Sequence, residues 1–231
     1  MTEQGTITTM FNDIASHYDF LNHLLSFRFD ILWRRKLSKT ISKSHPSTIL
    51  DVATGTADLA LRMARDLPTA QLTGIDLSQV MLEAAQEKID RQHLSNRIKL
   101  QQADAQQLPF ANHSFDAITV AFGVRNFEDP DAGLAELHRV VKPGGTIGVL
   151  EFSMPTRFPI RPLYRGYVKY LLPLLGRIVS KHPTAYTYLP ESIEAFQANY
   201  DITDLLEKQG FVGLTHRRLC GGIASIHLGK A

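Results

Sequence analysis

Three aspartates stand at the ends of successive segments whose composition predicts β-strands. They are Asp51, Asp76 and Asp104, and each lies at or next to the last residue of its segment. The carboxyl ends of parallel strands meet at one edge of a sheet, where such sheets bind ligands. An acid at a strand end often serves only as a helix N-cap. Three in series, beside one glycine turn, favour a site for a nucleoside-containing cofactor.

The turn after the first of these strands contains a single glycine. Residues 53–58 read ATGTAD, in which only Gly55 is glycine. A dinucleotide site requires G-x-G-x-x-G, because the second glycine lets the backbone approach the pyrophosphate. Asp58, at the predicted start of a helix, would also repel a phosphate. The expected ligand therefore lacks a pyrophosphate, which argues against NAD.

S-adenosylmethionine fits this pattern better, because it carries no phosphate. Its ammonium can pair with an acid such as Asp51, and its carboxylate can accept hydrogen bonds from N–H groups of the turn closed by Gly55. A carboxylate at Asp76 can accept both ribose hydroxyls, as the ribose acid of a dinucleotide site does. Asp104 is placed to accept the adenine amino group. We therefore expect a cofactor site for S-adenosylmethionine.

The middle of the chain alternates short β-rich segments with helical patterns. Leu134, Leu137 and Val141 recur at the i, i+3, i+7 spacing of a helix. This alternation with short connections predicts a doubly wound, mostly parallel sheet. The predicted strands are 47–52, 70–76, 97–104, 114–123 and 146–152, the predicted helices are 57–65, 79–92 and 131–141, and KPGG (142–145) predicts a turn.

The end of the chain has a different pattern. One helix near Ser192–Gln209 precedes two β-rich segments, 211–219 and 222–228, which are joined by a tight Cys-Gly-Gly turn. Strands this close in sequence cannot be joined by a crossover helix, so they pair antiparallel. A seven-stranded, mostly parallel α/β sheet that ends in an antiparallel hairpin is the Rossmann-like arrangement of class I S-adenosylmethionine-dependent methyltransferases. That analogy concerns the fold alone.

The whole chain is expected to form a single domain. Residues 46–152 would form the cofactor-binding core, and residues 191–231 the last helix and the hairpin. Residues 1–45 predict a helical N-terminal cap, and residues 153–190 an insertion between the fifth strand and the last helix. Both segments would lie over the carboxyl ends of the strands, where α/β sheets bind ligands.

Composition excludes several classes of protein. The chain of 231 residues has one cysteine, Cys220, so an intramolecular disulfide is impossible, and without paired Cys/His spacing no metal site is expected. The N-terminus lacks a secretory signal pattern, and no window has about 18 consecutive apolar residues. A net charge of +2 does not suggest a general nucleic-acid binder. The expected location is the cytoplasm.

The positive charge is concentrated in the insertion. The 39 residues between Glu151 and Glu191 contain no acid. Tyrosines, phenylalanines and leucines alternate there with cations, a combination that suits anionic lipid headgroups. The alternative is a lid over the site whose cations are merely solvated, and the two interpretations are compatible. Nucleic acid is disfavoured as a partner. The cations of this expected membrane surface, within 157–181, are Arg157, Arg161, Arg165, Lys169, Arg177 and Lys181.

Several motifs of the chain occur in known enzymes. LPF…SFD and RVVKPGG are shared by many S-adenosylmethionine enzymes, whereas FGVRNF (122–127), VLEFSMP (149–155) and YTYLPESI (186–193) are much narrower. With these motifs, the chain resembles the ubiquinone/menaquinone biosynthesis C-methyltransferase family nearly from end to end. The resemblance implies a homodimer and methylation of a ring carbon of a prenylated quinol. Demethylmenaquinol is the expected acceptor, and the alternative is a ubiquinone-pathway benzoquinol or both acceptors. A scaffold without turnover in a quinone-biosynthesis complex is the more remote alternative.

The resemblance also implies which residues contact the cofactor. They are Thr56, Asp76, Asp104 and Ala105, in agreement with the acids identified above. The chain departs from the family pattern at the turn, where Thr54 and Ala57 replace frequent glycines. It departs again at Ala121, where serine is common. Ala121 has no side-chain hydrogen bond to offer.

The same resemblance places the catalytic groups. Arg125, Asn126 and Tyr18 would handle the proton that a ring hydroxyl must lose before the ring carbon becomes nucleophilic. Arginine is a poor base, so a water held by the three groups is the expected relay. The alternative for Arg125 is a surface ion pair with Glu128 or Asp129. His17 is a less favoured candidate for the base.

Overall fold

The computed structural model describes residues 18–171 and 184–231. Its core is a seven-stranded sheet with the order β3-β2-β1-β4-β5-β7-β6. Strands β1 to β5 are parallel, whereas β7 runs antiparallel to β5 and β6. This confirms the predicted topology. The strands are β1 Thr48–Val52, β2 Gln71–Asp76, β3 Ile98–Gln102, β4 Phe115–Ala121, β5 Val141–Phe152, β6 Val212–Leu219 and β7 Ala224–Lys230.

Polar side chains cap the start of some of the helices. Ser78 accepts a hydrogen bond from the Met81 N–H, and Asp129 accepts one from the Ala132 N–H just before Pro130. A short 3₁₀ turn, Val124–Asn126, follows β4, and a π-helical turn, Tyr167–Leu171, follows α6. The helices are α1 Tyr18–Leu25, α2 Phe29–Ile41, α3 Asp58–Asp66, α4 Gln79–Arg91, α5 Pro130–Val140, α6 Ile160–Gly166, α7 Thr184–Asn199 and α8 Ile202–Lys208.

Apolar side chains cover both faces of the sheet. On one face α2 packs closely on β5, because a Cβ at Gly148 would lie only 2.8 Å from Leu37 Cδ1. On the other face α5 and α8 bury Leu134, Leu137 and Leu206 completely. The residues predicted at helical spacing, Leu134, Leu137 and Val141, are therefore buried, although Val141 is already the first residue of β5.

Two predicted boundaries were wrong. KPGG does not end the helix in a free turn. It lies within β5, as an irregularity in the pairing with β4, and Gly144 there has φ +76° and donates its N–H to the Ala231 carbonyl. The single helix predicted near 192–209 is two helices, because Asp201 adopts an extended conformation and its side chain caps α8 through the Thr203 N–H.

The cap and the insertion are both partly described. Helices α1 and α2 belong to the predicted cap, and residues 1–17, including His17, lie outside the described part of the chain. The insertion contributes α6, the π-helical turn and the start of α7, while residues 172–183 lie outside. No helix within 18–171 or 184–231 combines the length and apolar character needed to cross a membrane.

Candidate active site

A cleft opens at the carboxyl ends of β1, β2 and β4. The chain reverses its strand order between β1 and β4, and α/β sheets bind ligands at such switch points. The cleft has a volume of about 790 Å³, including the space at its open mouth. Of the residues predicted from the sequence, Gly55, Asp76, Asp104, Ala105 and Asn126 line it, together with Ser78, Met81, Phe122 and Phe127.

The turn after β1 is held from two sides. Gly55 has φ +55°, a conformation that favours glycine, and its N–H donates to Asp76 Oδ2 at 2.8 Å. The Thr54 N–H donates to the Ile75 carbonyl at 2.9 Å. These two bonds fix the turn against the end of β2, so the backbone of the turn and the Asp76 carboxylate form one wall of the cleft.

Asp76 and Asp104, the two acids that line the cleft, can still accept hydrogen bonds from a ligand. Asp76 accepts from the Gly55 N–H and, through Oδ1, from the Ser78 N–H at 2.9 Å. Burial raises the pKa of Asp76 despite these hydrogen bonds. Asp104 accepts from the N–H of Gln106 at 2.9 Å. Each carboxylate has about four lone-pair sites, so both can accept further hydrogen bonds from hydroxyl or amino groups.

Asp51 lies beneath the turn rather than in the cleft wall. It is 1% exposed, and its two oxygens accept from the hydroxyls of Thr54 and Thr119, each at 2.7 Å. Burial raises the pKa of Asp51 to about 6, although the two threonine hydrogen bonds act in the opposite direction. Both oxygens of Asp51 are thus used by the two threonines, and Asp51 does not line the cleft.

Thr56 faces α1 instead of the cleft. Its hydroxyl donates to Asp19 Oδ1 at 2.5 Å, and Lys88 Nζ lies 3.2 Å from the same hydroxyl. Lys88 also pairs with Asp19 at 2.8 Å and with Asp58 at 2.5 Å. This cluster joins the cap to the helix that follows the turn. The Thr56 side chain is therefore committed to the cap, and a cofactor contact at this residue would use its backbone.

A second group of charges fastens α1 to α2. His23 Nδ1 lies 2.8 Å from Asp30 Oδ2, and Arg34 Nη1 lies 2.5 Å from the same oxygen. His23, Asp30 and Asp58 each bring a potential metal-ligand atom within 4.8 Å of the others. Asp30 is already paired with Arg34 and Asp58 with Lys88. Ion pairing accounts for this group.

Arg125 forms a buried ion pair with Glu151 at the end of β5. Its Nη1 donates to Glu151 Oε1 at 2.5 Å and to the Phe122 carbonyl at 2.7 Å. The side chains of Arg125 and Glu151 are 6% and 1% exposed, and the guanidinium carbon lies 5.4 Å from the Phe152 ring centre. The Arg125 Nε is buried with no hydrogen-bond partner among the described residues.

This geometry overturns the surface alternative for Arg125, which named Glu128 or Asp129 as its partner. Glu151 was not identified from the sequence as a site residue. The available signal was an acid in the otherwise apolar strand segment VLEF. Asn126 lines the cleft next to Arg125. Tyr18 begins α1, but its side chain lies outside the described part of the structure.

The insertion approaches the same end of the sheet. Burial raises the pKa of Tyr164 in α6 to about 12, while the positive charge of Arg125 acts to lower it. The Tyr167 hydroxyl donates to the Leu25 carbonyl at 2.6 Å. The insertion and the cap therefore meet next to the cleft.

Comparison with known proteins identifies the family. The model of the ubiE/COQ5 methyltransferase family matches residues 1–231. The chain belongs to the ubiE/COQ5 methyltransferase family. It is a methyltransferase enzyme whose cofactor is S-adenosylmethionine, and the cleft fits this cofactor, since a single tight turn and two acids with spare acceptor sites form its wall.

Relatives of this methyltransferase are similar over almost their whole length. The demethylmenaquinone methyltransferase of Porphyromonas gingivalis is 44% identical over 224 residues, which is 96% of this chain and 91% of the relative. The ubiquinone/menaquinone biosynthesis C-methyltransferase UbiE of Geotalea uraniireducens is 41% identical over 232 residues, covering 100% of this chain and 98% of the relative.

Solved structures share the fold of this methyltransferase. A putative S-adenosyl-L-methionine-dependent methyltransferase from Methanococcus maripaludis is 17% identical, with a TM-score of 0.62 over 96% of this chain and 92% of the other. A SAM-dependent methyltransferase from Aquifex aeolicus has a TM-score of 0.59 at 18% identity, over 84% and 88%. The predicted Rossmann-like class I fold is confirmed.

Proposed function

We propose that this methyltransferase methylates a ring carbon of demethylmenaquinol to give menaquinol. The family match and the names of relatives such as the Porphyromonas gingivalis enzyme support this acceptor. The observation that carries the proposal is the buried Arg125, whose Nε has no partner among the described residues, next to Asn126, which lines the cleft. A buried cation with a free N–H is suited to an oxygen that becomes negative during the reaction.

The cofactor roles predicted from the sequence are kept for Asp76, Asp104, Gly55 and Ala105. Thr56 would act through its backbone, and Asp51 from outside the cleft wall. Asp76 would accept the ribose hydroxyls and Asp104 the adenine amino group, because both line the cleft with spare acceptor sites. The backbone N–H groups around Gly55 and Thr56 would meet the carboxylate, and Ala105 would form part of the adenine wall. Asp51 does not line the cleft, so it would act on the ammonium through its charge, from beneath the turn.

The chain's own residues would make the ring carbon nucleophilic. S-adenosylmethionine, when bound, supplies an electrophilic methyl group. A ring hydroxyl must first give up its proton, and the resulting oxyanion would be stabilised by Arg125, with Asn126 donating or accepting a second hydrogen bond. A water held by Arg125, Asn126 and Tyr18 would take this proton. When the ring carbon takes the methyl group, the sulfur of the cofactor would keep the electron pair of the broken carbon–sulfur bond. The ring carbon would then lose its own proton to solvent, and the oxyanion would recover the proton held by the relay water, which restores the quinol.

Glu151 has a positioning role in this scheme. It accepts from both the side chain and the backbone N–H of Arg125, at 2.5 and 3.4 Å. Because Nη1 is fully used by Glu151 and the Phe122 carbonyl, the guanidinium cannot rotate. Nε remains for the developing oxyanion or the water.

A second acceptor follows from the relatives named for both pathways. The Geotalea uraniireducens protein is described as a ubiquinone/menaquinone biosynthesis C-methyltransferase. A ubiquinone-pathway benzoquinol, alone or together with demethylmenaquinol, is therefore the second candidate. A scaffold without turnover is disfavoured, since Arg125, Asn126 and the cofactor acids are all present. A homodimer remains an expectation from the family.

Contact with the membrane is part of the proposal, because a prenylated quinol resides in a bilayer. Arg157, Arg161 and Arg165 are exposed, as are Phe158 and Leu163, at 88% and 70%. The side chain of Lys169, and residues Arg177 and Lys181, lie outside the described part of the structure. The described members of 157–181 thus present cations beside apolar groups, which suits anionic headgroups.

The test is incubation with S-adenosylmethionine labelled in its methyl group. Demethylmenaquinol and a demethylated benzoquinol are offered separately, and label in the recovered quinol is counted. We expect label in demethylmenaquinol. Label in neither acceptor would overturn the proposal, whereas label only in the benzoquinol would establish the second candidate. Arg125→Ala should bind the cofactor as the wild type does and lose most turnover. Full turnover in this variant would remove Arg125 from the mechanism.

A further inference from the structure

The end of α1, the loop that follows it and the first turns of α2 expose large apolar side chains. Phe27 is 64% exposed, Leu32 53%, Phe29 43% and Leu24 37%. Such residues are normal when scattered singly, but a cluster marks an interaction surface. We call residues 24–36 the α2 shoulder.

Cations stand between these apolar groups. Arg28 and Arg35 are exposed, and Arg35 follows Leu32 by three positions, so the two share one face of α2. No acid occurs from residue 31 to residue 50. The shoulder's one acid, Asp30, is 2% exposed and pairs with His23 and Arg34. The outer surface of the shoulder is therefore cationic and apolar.

The α2 shoulder adjoins the exposed part of the insertion. The Tyr167 hydroxyl binds the Leu25 carbonyl at 2.6 Å, and the rings of Phe27 and Tyr167 lie 5.9 Å apart. Farther along, Trp33 Nε1 lies 3.2 Å from Cys220 Sγ, and the adjacent Gly221 packs directly on Ile160, the first residue of α6. Two segments distant in sequence therefore form one continuous surface.

This surface lies at the cofactor end of the sheet. The inner side of the shoulder contacts cleft residues, since the Trp33 ring is 6.3 Å from Phe122, and Phe122 lines the cleft. A partner bound to the outer side would consequently lie next to the cleft. That placement is the one needed by an apolar substrate that enters from a bilayer.

We propose that the α2 shoulder is a second membrane-binding element, which docks on anionic lipid together with the exposed residues of α6. Phe27 and Leu32 would enter the headgroup region while Arg28 and Arg35 pair with lipid phosphates. The inference rests on the proposed membrane contact of 157–181 and extends it to a separate part of the chain. The charge pattern selects an anionic bilayer over a neutral one.

The experiment compares binding of the full chain to sedimented vesicles of phosphatidylglycerol and phosphatidylcholine. The double variant Arg28→Gln/Arg35→Gln should bind the anionic vesicles roughly tenfold more weakly than the wild type at low salt. At high salt the difference between the variant and the wild type should be smaller. Leu32→Ser should weaken binding at all salt concentrations. The matched control is Lys99→Gln/Lys230→Gln. These two cations are exposed and lie on β3 and β7, towards the amino ends of the parallel strands, where they pair in register with Thr73 and Thr146. This control variant should bind as the wild type does.

Three further arms separate the possible failures. If Arg157→Gln/Arg161→Gln loses vesicle binding while the shoulder variants keep it, the inference is overturned and the contact belongs to the insertion alone. If the shoulder variants lose binding to a single-stranded RNA but not to vesicles, the partner is nucleic acid and the inference is also overturned. Methyl transfer to a short-chain, water-soluble quinol should be unchanged in the shoulder variants. If the wild type transfers no methyl group to this quinol, the result instead contradicts the proposed reaction.

Discussion

Arg125 and Glu151 join the ends of two neighbouring strands by an ion pair that is almost wholly excluded from water, with 2.5 Å between Nη1 and Oε1. Burying two charges costs more than their attraction returns unless further hydrogen bonds satisfy them. Glu151 also accepts a hydrogen bond from the Phe152 N–H at 2.9 Å, and Arg125 also donates one to the Phe122 carbonyl. The Nε is left over, which is the feature expected of a group held ready for a ligand.

Glu151→Gln tests whether the pair positions Arg125. Glutamine keeps the shape and can still accept one hydrogen bond, but it no longer holds the guanidinium by charge. We expect kcat to fall by roughly 100-fold, the size of effect seen when an oxyanion-stabilising donor is lost, while the KM for S-adenosylmethionine changes little. Steady-state kinetics below the melting temperature of the variant would show this split.

Arg125→Lys provides the comparison for this prediction. Lysine keeps the charge but has a single nitrogen, which could replace Nη1 towards Glu151 and Phe122 but not the Nε that is left for the substrate. It should lower kcat to a similar extent. A wild-type kcat in Glu151→Gln, or a loss that appears only in the KM for the cofactor, would show that the ion pair serves stability alone.

Asp76→Asn tests the ribose contact. Asp76 lines the cleft, and hydrogen bonds to a charged group contribute about 1.5–3 kcal/mol each. We expect the Kd for S-adenosylmethionine to rise by roughly 10- to 100-fold, measured by calorimetry or by equilibrium dialysis. Asp204→Asn, at an exposed site on α8, is the matched control and should leave the Kd unchanged. Equal affinities in Asp76→Asn and the wild type would contradict the assignment.

The wall of the cleft was predictable because its residues are local to the turn and the strand ends. Gly55, Asp76 and Asp104 needed only the rule that parallel strands end at one edge. The Arg125–Glu151 pair was not predictable, because its members are 26 residues apart and the lateral pairing of β4 and β5 decides which side chains meet. The Thr56–Asp19 contact, which spans 37 residues, depends in the same way on how the cap docks.

Asp51 should make stability depend on pH between about 4 and 6. Burial raises its pKa to about 6 in the folded protein, whereas the unfolded value is about 3.9. In this window the folded state binds a proton that the unfolded state has lost, so the free energy of unfolding falls as pH rises, by about 3 kcal/mol in total. Denaturant titrations of the wild type and Asp51→Asn should diverge from pH 4 to 6 and then stay parallel.

The pKa of Asp51 should also respond to the ammonium group of bound S-adenosylmethionine. If the positive charge of the ammonium reaches Asp51 through the turn, binding of S-adenosylmethionine lowers the pKa of Asp51 and releases a proton. Calorimetry in buffers with different ionisation enthalpies would detect this release, and Asp51→Asn should abolish it. Binding without proton release in the wild type would place the ammonium elsewhere.

Lys88 should fasten the N-terminal cap to the helix after the cofactor turn. It bridges Asp19 in α1 and Asp58 in α3 and is only 19% exposed. Lys88→Met would leave two carboxylates facing each other without their cation, and we expect a loss of about 1–2 kcal/mol in unfolding free energy. The effect should be local as well, with faster hydrogen exchange at the amides of α1 than in the wild type.

Lys88→Arg should restore most of this protection, because arginine can still reach two carboxylates. Lys99→Met, at an exposed position on the edge strand β3, removes the same charge without touching the cap. The pKa of Asp58, which burial raises, is lowered overall by the charges of Arg34 and Lys88. The Lys88 contribution should therefore be present above about pH 4 and be lost as the pH falls further. Unchanged exchange in α1 of Lys88→Met would mean that the remaining contacts hold the cap.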